Sequence, residues 1–529
     1  MMAHEATPAA GEQAGQATSP VALRRGLAPQ IPGSRFWGWA GPLLVTALGT
    51  WLRFSRLGVP KAIVFDETYY VGDAWGILRH GAEINHLKNA DALLAGGRTT
   101  NILGTGGEFV AHPPFGKVLI AAGEWLFGLT PFGWRFSVAV LGSLAILMTA
   151  RIARRMTRST LLGCVAGLLL ALDGLEFVLS RTALLDIIVM FWVLAAFGCL
   201  VVDRDATRAR IAAAADTAET DPAAADVTGP RLGIRWWRLL GGVCLGLACA
   251  SKWNGVWYLP VFGAMTLAWD VGARKAAGVR RSGSALIRDG GGLLGVFAVL
   301  PAVVYLAAWS GWFASSYGYD RDWAAEHGNH TPVWAALDSL YQYQHTILQF
   351  GVTLTKPHLY QSWPWTWLVM SRPLSLFYSS ASHACGAKNC SQAVLAIGTP
   401  AIWWASIPAL ALCVVWWLTR RDWRAGAVLA GVAAGWLPWF WYAWHDHRTM
   451  FYSYAVTFDP FLVIAITLCL GLIIGPACAG VGRRGIGAGA VGAYLIAVLA
   501  NFYYLYPVLA AKIIPYTSWL SRMWYHGWI

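Results

Sequence analysis

The stretch ALLDIIVMFWVLAAFGCLVV, residues 183–202, decides the fold class of this chain. Its twenty residues include one charged side chain, Asp186. A helix of about 20 apolar residues matches the thickness of the hydrocarbon layer of a bilayer. Similar runs recur along 529 residues that are 57% hydrophobic and 13% charged, with 31 tryptophans. The composition therefore predicts a polytopic membrane protein rather than a series of soluble domains.

The apolar runs predict an all-α membrane protein with about eleven transmembrane helices. Residues 1–35, rich in Ala, Gly, Pro and Gln, are predicted to form a disordered cytoplasmic tail. An Ala- and Asp-containing insertion at about residues 205–229 is predicted to be disordered as well. The rest of the chain, residues 36–529, forms one membrane domain. The predicted helices span residues 36–52, 136–150, 160–179, 183–202, 239–250, 254–270, 290–311, 400–418, 425–444, 454–474 and 487–507.

The distribution of positive charge orients these helices. With a cytoplasmic N terminus, the cytoplasmic segments contain 23 of the 40 Lys and Arg residues, in short clusters such as RIARRMTRS (151–159). An excess of this kind marks the cytoplasmic loops of multi-pass membrane proteins. Two long loops, about residues 53–135 and 312–399, are therefore predicted to be extracytoplasmic. Because the net charge of +13 lies in scattered clusters and not on one basic face, no nucleic-acid partner is expected.

Function is expected in the two long outer loops, because loops on a rigid scaffold often carry function. Nucleotides are scarce outside the cytoplasm. The sequence also contains no Walker A pattern, and no GxGxxG motif that opens a helix after a strand. A reaction driven by ATP or by a nucleotide sugar is therefore not expected.

The segment VFDETYY, residues 64–70, places Asp66 and Glu67 side by side after the first helix. Loop carboxylates are most often solvated, but the apolar and aromatic flanks favour a position at the membrane surface. Partial burial raises the pKa of a carboxylate, which suits a general base near neutral pH. Neighbouring residues of an extended segment point in opposite directions. One carboxylate would then act as a base, while the other positions a substrate or a partner side chain.

Four cationic residues lie at the outer ends of predicted helices: Arg53, Arg181, Lys252 and Arg448. Each alone could be a snorkelling interfacial side chain. Together they would place positive charge at headgroup depth, where the phosphate of a lipid carrier sits. The predicted reaction is transfer of a sugar from a polyprenyl phosphate to a hydroxyl. The cations would stabilise the leaving phosphate, Asp66 would accept the hydroxyl proton, and a single displacement would invert the anomeric centre.

Three further motifs have less specific interpretations. HPPFGK, residues 112–117, is either a structural turn or a segment that contacts substrate. The adjacent residues 445–447, HDH, would chelate a metal poorly, so no metal site is predicted, and no cofactor is required by the sequence. A need for a divalent metal is left open. Cys385 and Cys390 predict a disulfide bond, because a lone pair of cysteines rarely holds zinc.

Five motifs in a fixed order make the chain, from about residue 36 to its C terminus, resemble the protein O-mannosyltransferases. They are RFSRLGVPKAIVFDETYY, HPPFGK, SRTALLD, SKWNG and HRTMFYSY. The resemblance implies a GT-C glycosyltransferase fold in the plasma membrane, with polyprenyl-phosphate mannose as the donor. It implies acceptors that are Ser or Thr hydroxyls of secreted proteins, as these emerge from the protein translocation machinery.

The resemblance also implies roles for individual residues. Asp66 would be the catalytic base, and Glu67 an essential neighbouring acid. The segment HLYQSWPWTW, 358–367, resembles a loop of bacterial members and could line the site through His358, Trp363 and Trp365. The candidates for activity or donor binding are Arg53, Arg181, Lys252, His112, Lys117 and Arg448.

The chain departs from the eukaryotic members of that family in one respect. Those proteins carry a β-trefoil repeat (MIR) domain in the long outer loop, and residues 312–399 are too few to contain it. The chain therefore resembles the bacterial, actinobacterial form, and its selection of acceptors is in doubt. One alternative is another polyprenyl-phosphate-sugar-dependent GT-C enzyme, although the WWD motif of oligosaccharyltransferases is absent. The second alternative is a membrane transporter, a flippase or a non-catalytic receptor. The position of the charged residues at the outer ends of helices argues against this alternative.

Overall fold

The computed structural model describes residues 26–98, 100–220, 229–476 and 478–529, and helices predominate in it. The α-helices are α1 Arg35–Phe54, α2 Glu67–His80, α3 Ala90–Ala95, α4 Phe115–Phe127, α5 Pro131–Thr157, α6 Thr160–Ala171, α7 Gly174–Leu179, α8 Leu185–Thr220, α9 Trp236–Ser251, α10 Tyr258–Ala276, α11 Ala285–Leu294, α12 Leu300–Ala308, α13 Ser310–Ala314, α14 Trp323–Glu326, α15 Pro332–Thr353, α16 Pro400–Arg420, α17 Trp423–Trp436, α18 Pro438–Trp444, α19 Asp459–Ile474, α20 Val481–Leu509 and α21 Tyr516–Leu520. The strands are β1 Ile84–His86, β2 Leu103–Gly107, β3 Leu374–Ser382, β4 Asn389–Ala396 and β5 Ile513–Pro515.

Several of these helices are long and apolar enough to cross a membrane. Among the described residues there are 6 such spans: Pro131–Thr157, Leu185–Ala215, Arg288–Ala308, Pro400–Arg420, Tyr452–Ile474 and Val481–Leu509. The apolar helices α6 and α9 are shorter. Helices also occupy the other predicted positions, but the figure of eleven membrane crossings stays a prediction.

The core lies around two of these spans. In Leu185–Ala215 the apolar window is 78% buried, and in Tyr452–Ile474 it is 72% buried. The windows of Arg288–Ala308 and Val481–Leu509 are only 17% and 22% buried. A helix that is apolar on all sides is stable where other helices surround it. The first two spans therefore form the centre, and the outer spans present apolar side chains to lipid.

The predicted helix at 160–179 is two helices, α6 and α7, separated at Asp173. One carboxylate oxygen of Asp173 accepts hydrogen bonds from the backbone N–H groups of Leu175 (2.9 Å) and Glu176 (3.2 Å), which starts α7. The other accepts from the Trp403 indole at 2.8 Å and from the Thr399 backbone at 3.2 Å. An aspartate that accepts backbone N–H groups favours a helix start over a helix interior.

The two segments predicted to be disordered, residues 1–35 and about 205–229, are partly ordered among the described residues. Helix α8 continues to Thr220, so residues 205–220 are helical where disorder was predicted. Alanine is the strongest helix former, which accounts for the extension. The end of the predicted tail is also packed: Leu27 is buried, and its carbonyl accepts a hydrogen bond of 2.9 Å from Arg208. Residues 1–25 and 221–228 lie outside the described residues.

The chain is not entirely α-helical, which corrects the prediction. In the first outer loop β1 and β2 pair antiparallel, with Ile84 opposite Gly107. In the second, β3 and β4 form a hairpin, and β5 from the C-terminal region adds to β4. A disulfide bond joins Cys385 and Cys390 at the end of this hairpin. Scanning for apolar runs does not detect strands this short, because they contain fewer residues than a span requires.

Candidate active site

A cavity of about 1120 Å³ is lined in part by the two long loops, about residues 53–135 and 312–399. Its walls come from α2, the segment before α4, the turn between α9 and α10, α12, α15 and the segment after α18. Aromatic and aliphatic side chains make up most of the wall. Such apolar cavities with a few polar groups are typical ligand sites. The charged side chains on the wall are Asp66, Asp73, Glu108, Lys117, Lys252, Lys356 and Arg448.

Asp66 lies at the start of α2 and lines this cavity. The residue before it, Phe65, has a φ of 48°, a conformation that non-glycine residues seldom adopt and that is frequent at functional sites. The Tyr70 hydroxyl is 3.5 Å from an Asp66 carboxylate oxygen. Burial raises the pKa of Asp66 to about 6; the charge of Lys252 opposes this increase, and Asp186 adds to it. Asp66 is thus ionised at neutral pH and more basic than an exposed aspartate.

Glu67, predicted as a second catalytic acid, is fully buried and does not line the cavity. Its two carboxylate oxygens each accept a hydrogen bond of 2.8 Å from Arg135. They also accept backbone N–H groups of Val64 at 3.1 Å and Ala183 at 2.9 Å. A carboxylate with this many donors has no free oxygen for a substrate. The structure therefore makes Glu67 a residue that holds the start of α2, next to Asp66, in place.

Arg53 and Arg181, predicted as donor-binding residues, also lie outside the cavity wall. Arg53 is fully buried in an ion pair with Glu176. Arg181 is 5% exposed, and its guanidinium donates to four carbonyls, those of Leu52 and Arg53 in the last turn of α1 and those of Ser55 and Arg56 just after it. Cations at a helix C terminus satisfy carbonyls that lack partners within the helix. In this structure both guanidinium groups therefore contact groups at the end of α1 and next to it, and donor binding by these two arginines stays a prediction.

Lys252 and Arg448 do line the cavity, as predicted. The Lys252 ammonium is 2.8 Å from Asp186 and 4.3 Å from the centre of the Tyr454 ring. Burial opposes its charge, but Asp186 prevails and raises the pKa of Lys252, so it remains a cation. Arg448 donates through Nε to the Gly351 carbonyl at 2.7 Å. Within the described residues its two terminal nitrogens have no hydrogen-bond partner, which leaves them available to an anion.

The HPPFGK segment forms a structural turn, and two of its side chains also reach the cavity wall. His112 lines the cavity, and burial together with Lys252 and Lys117 holds its pKa well below the usual range, so it is neutral. Lys117 donates to the His112 carbonyl at 3.0 Å, which closes the turn, and its ammonium lies 2.7 Å from Glu83. Lys117 therefore has a structural task, although part of its side chain reaches the wall.

The three candidates in the segment 358–367 also differ in whether they line the cavity. His358 lines the cavity and packs edge-to-face against Phe65 and Phe451, with ring centroids 6.3 and 5.0 Å away. Trp363 and Trp365 do not line it; they stack on each other at 5.4 Å. The prediction placed them at the site because sequence proximity to His358 does not reveal the turn between them.

One group of side chains could hold a metal ion among the described residues. Asp73, His86 and Glu108 present ligand atoms that all lie within 4.8 Å of one another, and two of them line the cavity. No sequence motif predicts this group, and residues 445–447 are not part of it. Asp186 is a further residue outside the predicted set, although a charge in an apolar run is a recognisable signal of a functional or pairing residue.

Comparison with known proteins identifies the family of this chain. The family model described as dolichyl-phosphate-mannose-protein mannosyltransferase matches residues 43–310. The polyprenol-phosphate-mannose–protein mannosyltransferase of Mycolicibacterium smegmatis is 41% identical over 511 residues, 94% of each chain. The protein of that name from Mycobacterium tuberculosis is 42% identical over 513 residues, 94% of this chain and 93% of the relative. The Corynebacterium glutamicum protein is 35% identical over 497 residues, 90% and 91% of the two chains.

A solved structure shows the same fold. The protein O-mannosyltransferase complex of Saccharomyces cerevisiae bound to the sugar donor aligns with a TM-score of 0.69 at 14% identity, over 95% of this chain and 94% of that chain. Fold, cavity and relatives together define a membrane-embedded glycosyltransferase. The chain belongs to the dolichyl-phosphate-mannose-protein mannosyltransferase family, which confirms the resemblance carried by the five motifs.

Proposed function

We propose that this protein transfers mannose from polyprenyl-phosphate mannose to Ser or Thr hydroxyls of secreted proteins. The reaction takes place on the extracytoplasmic face of the plasma membrane and inverts the anomeric centre. One observation carries the proposal: the basic carboxylate of Asp66 and the cations Lys252 and Arg448 line the same cavity. The names of the relatives, polyprenol-phosphate-mannose–protein mannosyltransferases, support the donor and the protein acceptor.

The proposed step is a single displacement. The acceptor oxygen attacks the anomeric carbon as its proton passes to the Asp66 carboxylate. The bond between the anomeric carbon and the phosphate oxygen breaks, and its electron pair leaves with the phosphate. Lys252 and Arg448 stabilise the charge that grows on this phosphate. Attack opposite the leaving group inverts the configuration, so no covalent intermediate with the enzyme is required.

The apolar part of the cavity wall suits the polyprenyl chain of the donor, and its aromatic side chains suit the sugar or the acceptor peptide. Trp257, Val256 and Leu348 line the cavity and are exposed, which gives a polyprenyl chain an apolar surface. Tyr69 also lines it, with 57% of its surface exposed, and could stack on a sugar or an acceptor peptide.

Transfer of labelled mannose by the purified protein tests the proposal. The substrates are polyprenyl-phosphate mannose and a peptide rich in Ser, Thr and Pro, with the same peptide carrying Ala in place of Ser and Thr as a control. We expect transfer to the first peptide alone, with an α-linked product from the β-linked donor. Transfer of a different sugar from the corresponding polyprenyl phosphate, without transfer of mannose, would support another GT-C enzyme. Movement of intact donor between leaflets without transfer would support a flippase.

The pH dependence of transfer follows from the raised pKa of Asp66. The base must be ionised, so kcat/KM is expected to fall about tenfold per pH unit below pH about 6 and to level off above it. Lys252 lowers the pKa of Asp66, so Lys252→Gln is expected to move the inflection to higher pH in addition to weakening transfer. A rate independent of pH between 5 and 8, with the protein still folded, would contradict a role for Asp66 as base.

Replacement of Arg448 tests the phosphate contact. Arg448→Gln is expected to weaken donor binding by about 10- to 100-fold, the value of a charge-assisted hydrogen bond. Arg421→Gln is the matched control, because Arg421 is exposed and does not line the cavity. Binding of a donor analogue to the protein in detergent would be measured. Equal affinity of both variants and the wild type would remove Arg448 from the phosphate site.

A further inference from the structure

We infer that Asp73, His86 and Glu108 form a binding site for one divalent transition-metal ion at the wall of the cavity. The inference goes beyond the proposed transfer reaction and does not depend on it. Three separate segments supply the side chains. Asp73 lies on α2, His86 ends β1, and Glu108 directly follows β2. The antiparallel pairing of β1 with β2 brings His86 and Glu108 together, against α2.

The distances in this group fit an ion and not direct hydrogen bonds. His86 Nε2 is 3.7 Å from an Asp73 carboxylate oxygen and 3.4 Å from a Glu108 carboxylate oxygen. Hydrogen bonds between nitrogen and oxygen are 2.7–3.2 Å long. Two ligands that each lie about 2.1 Å from a tetrahedral metal are about 3.4 Å apart. The two distances from His86 Nε2 are therefore close to those between ligands that share a central ion.

The same three atoms have no other partners within the described residues. Asp73 Oδ1, His86 Nε2 and Glu108 Oε2 are inaccessible to solvent and make no hydrogen bond. The Asp73 side chain is 2% exposed, and its free oxygen lies 3.7 Å from the imidazole Nε2. Buried polar atoms in native proteins are almost always paired, so three unpaired atoms that face one point indicate a bound species.

The local charge favours a dication. Asp73, Glu83 and Glu108 are three carboxylates near a single ammonium, that of Lys117. Lys117 pairs with Glu83 at 2.7 Å and stays 3.7 Å from Asp73. An imidazole nitrogen such as His86 Nε2 is the commonest protein ligand of transition metals. A divalent cation would supply positive charge to this group of three carboxylates, which has one ammonium nearby.

The imidazole is held in position by the backbone of α2. A Cβ atom built on Gly72 would lie 2.3 Å from His86 Nε2, so the ring packs directly against this glycine. Contact with fixed neighbours orients the ligands of metal sites and raises their affinity. Any side chain at position 72 would displace the imidazole from the group.

The ligand set selects the kind of metal. Imidazole nitrogen favours Zn²⁺, Mn²⁺ or Co²⁺ over Ca²⁺, which takes six to eight oxygen ligands. Three protein ligands leave at least one coordination position open. Asp73 and Glu108 line the cavity, so an ion between them would face its interior and could contact water or a phosphate oxygen there.

Metal content of the untagged full-length protein in detergent tests the inference. After treatment with a chelator and titration with Zn²⁺, Mn²⁺ or Co²⁺, we expect one ion per chain. His86→Ala and Glu108→Gln should weaken binding at least tenfold, and Gly72→Ala should do the same by displacing the ring. His80→Ala is the matched control, since His80 ends the same helix, stacks on Tyr317 and is not part of the group.

Two outcomes would overturn the inference. One is a wild-type protein that binds none of the three metals after removal of the chelator. The other is equal affinity in the wild type, Glu108→Gln and His86→Ala, with folding verified for each variant by its melting temperature. Protons would then balance the carboxylates in place of a metal. Because the readout is bound metal, the result is separate from mannose transfer: a protein without transferase activity could still bind the ion.

Discussion

Asp66→Asn is expected to lower mannosyl transfer by about 10²- to 10⁴-fold, which is the usual contribution of a general base. The amide has the shape of the carboxylate but cannot accept the acceptor proton. Donor affinity should remain within a few-fold of the wild type, because Lys252 and Arg448 still line the cavity. Single-turnover transfer from labelled polyprenyl-phosphate mannose measures the chemical step, and binding of a donor analogue measures affinity.

The matched control for this experiment is Asp322→Asn. Asp322 is an exposed aspartate in the second outer loop, and it does not line the cavity. The Asp322→Asn variant should transfer mannose at the wild-type rate. A wild-type rate in Asp66→Asn would remove Asp66 as the base. Loss of donor binding in Asp66→Asn together with loss of transfer would instead assign Asp66 to the positioning of the donor.

Glu67→Ala is expected to destabilise the folded protein by about 3–5 kcal/mol, because it leaves the buried charge of Arg135 without its partner. Both side chains are 0% exposed, and two hydrogen bonds of 2.8 Å connect them. The bonds from Val64 and Ala183 to Glu67 are lost as well. Transfer activity should fall with the folded fraction, since α2 and Asp66 lose their anchor. Denaturant unfolding in detergent, followed by tryptophan fluorescence, measures the change.

The double variant Glu67→Gln/Arg135→Met separates a structural role from a catalytic one. Removing both charges should cost less than the sum of the two single changes, because no unpaired charge is left in the core. A positioning role predicts that this variant regains part of the stability and, with it, part of the activity. Wild-type stability of Glu67→Gln with a loss of kcat alone would make Glu67 a catalytic residue after all.

Sequence reasoning identified some site residues because their chemistry is unusual in their surroundings. Asp66, Lys252 and Arg448 are charges next to apolar runs, and all three reach the cavity. The same reasoning assigned Arg53 and Arg181 to the donor, since sequence position does not show the direction of a long side chain. Arg181 reaches back to the carbonyls at the end of α1. Sequence position indicated that these cations lie near helix ends, but not what they contact.

The spacing of Asp73, His86 and Glu108 along the sequence does not reveal that they form one group. Asp73, His86 and Glu108 are separated by stretches with no ligand motif, and no two of them share a helix or strand. Their meeting depends on the register of β1 against β2 and on the packing of His86 against Gly72. Strand pairing of this kind is decided by contacts between distant residues.

The sequence alone determined the class of this protein, a multi-pass membrane enzyme, and its family. Hydrophobic run length is a local property that the thickness of a bilayer selects, and the five motifs are contiguous. The tertiary structure decided which charged side chains share the cavity and which pair in the core. Burial makes an unpaired charge costly, so each buried cation or carboxylate needs either a partner side chain or a bound ligand. Whether a given charge meets a partner or faces the cavity depends on how distant segments of the chain pack.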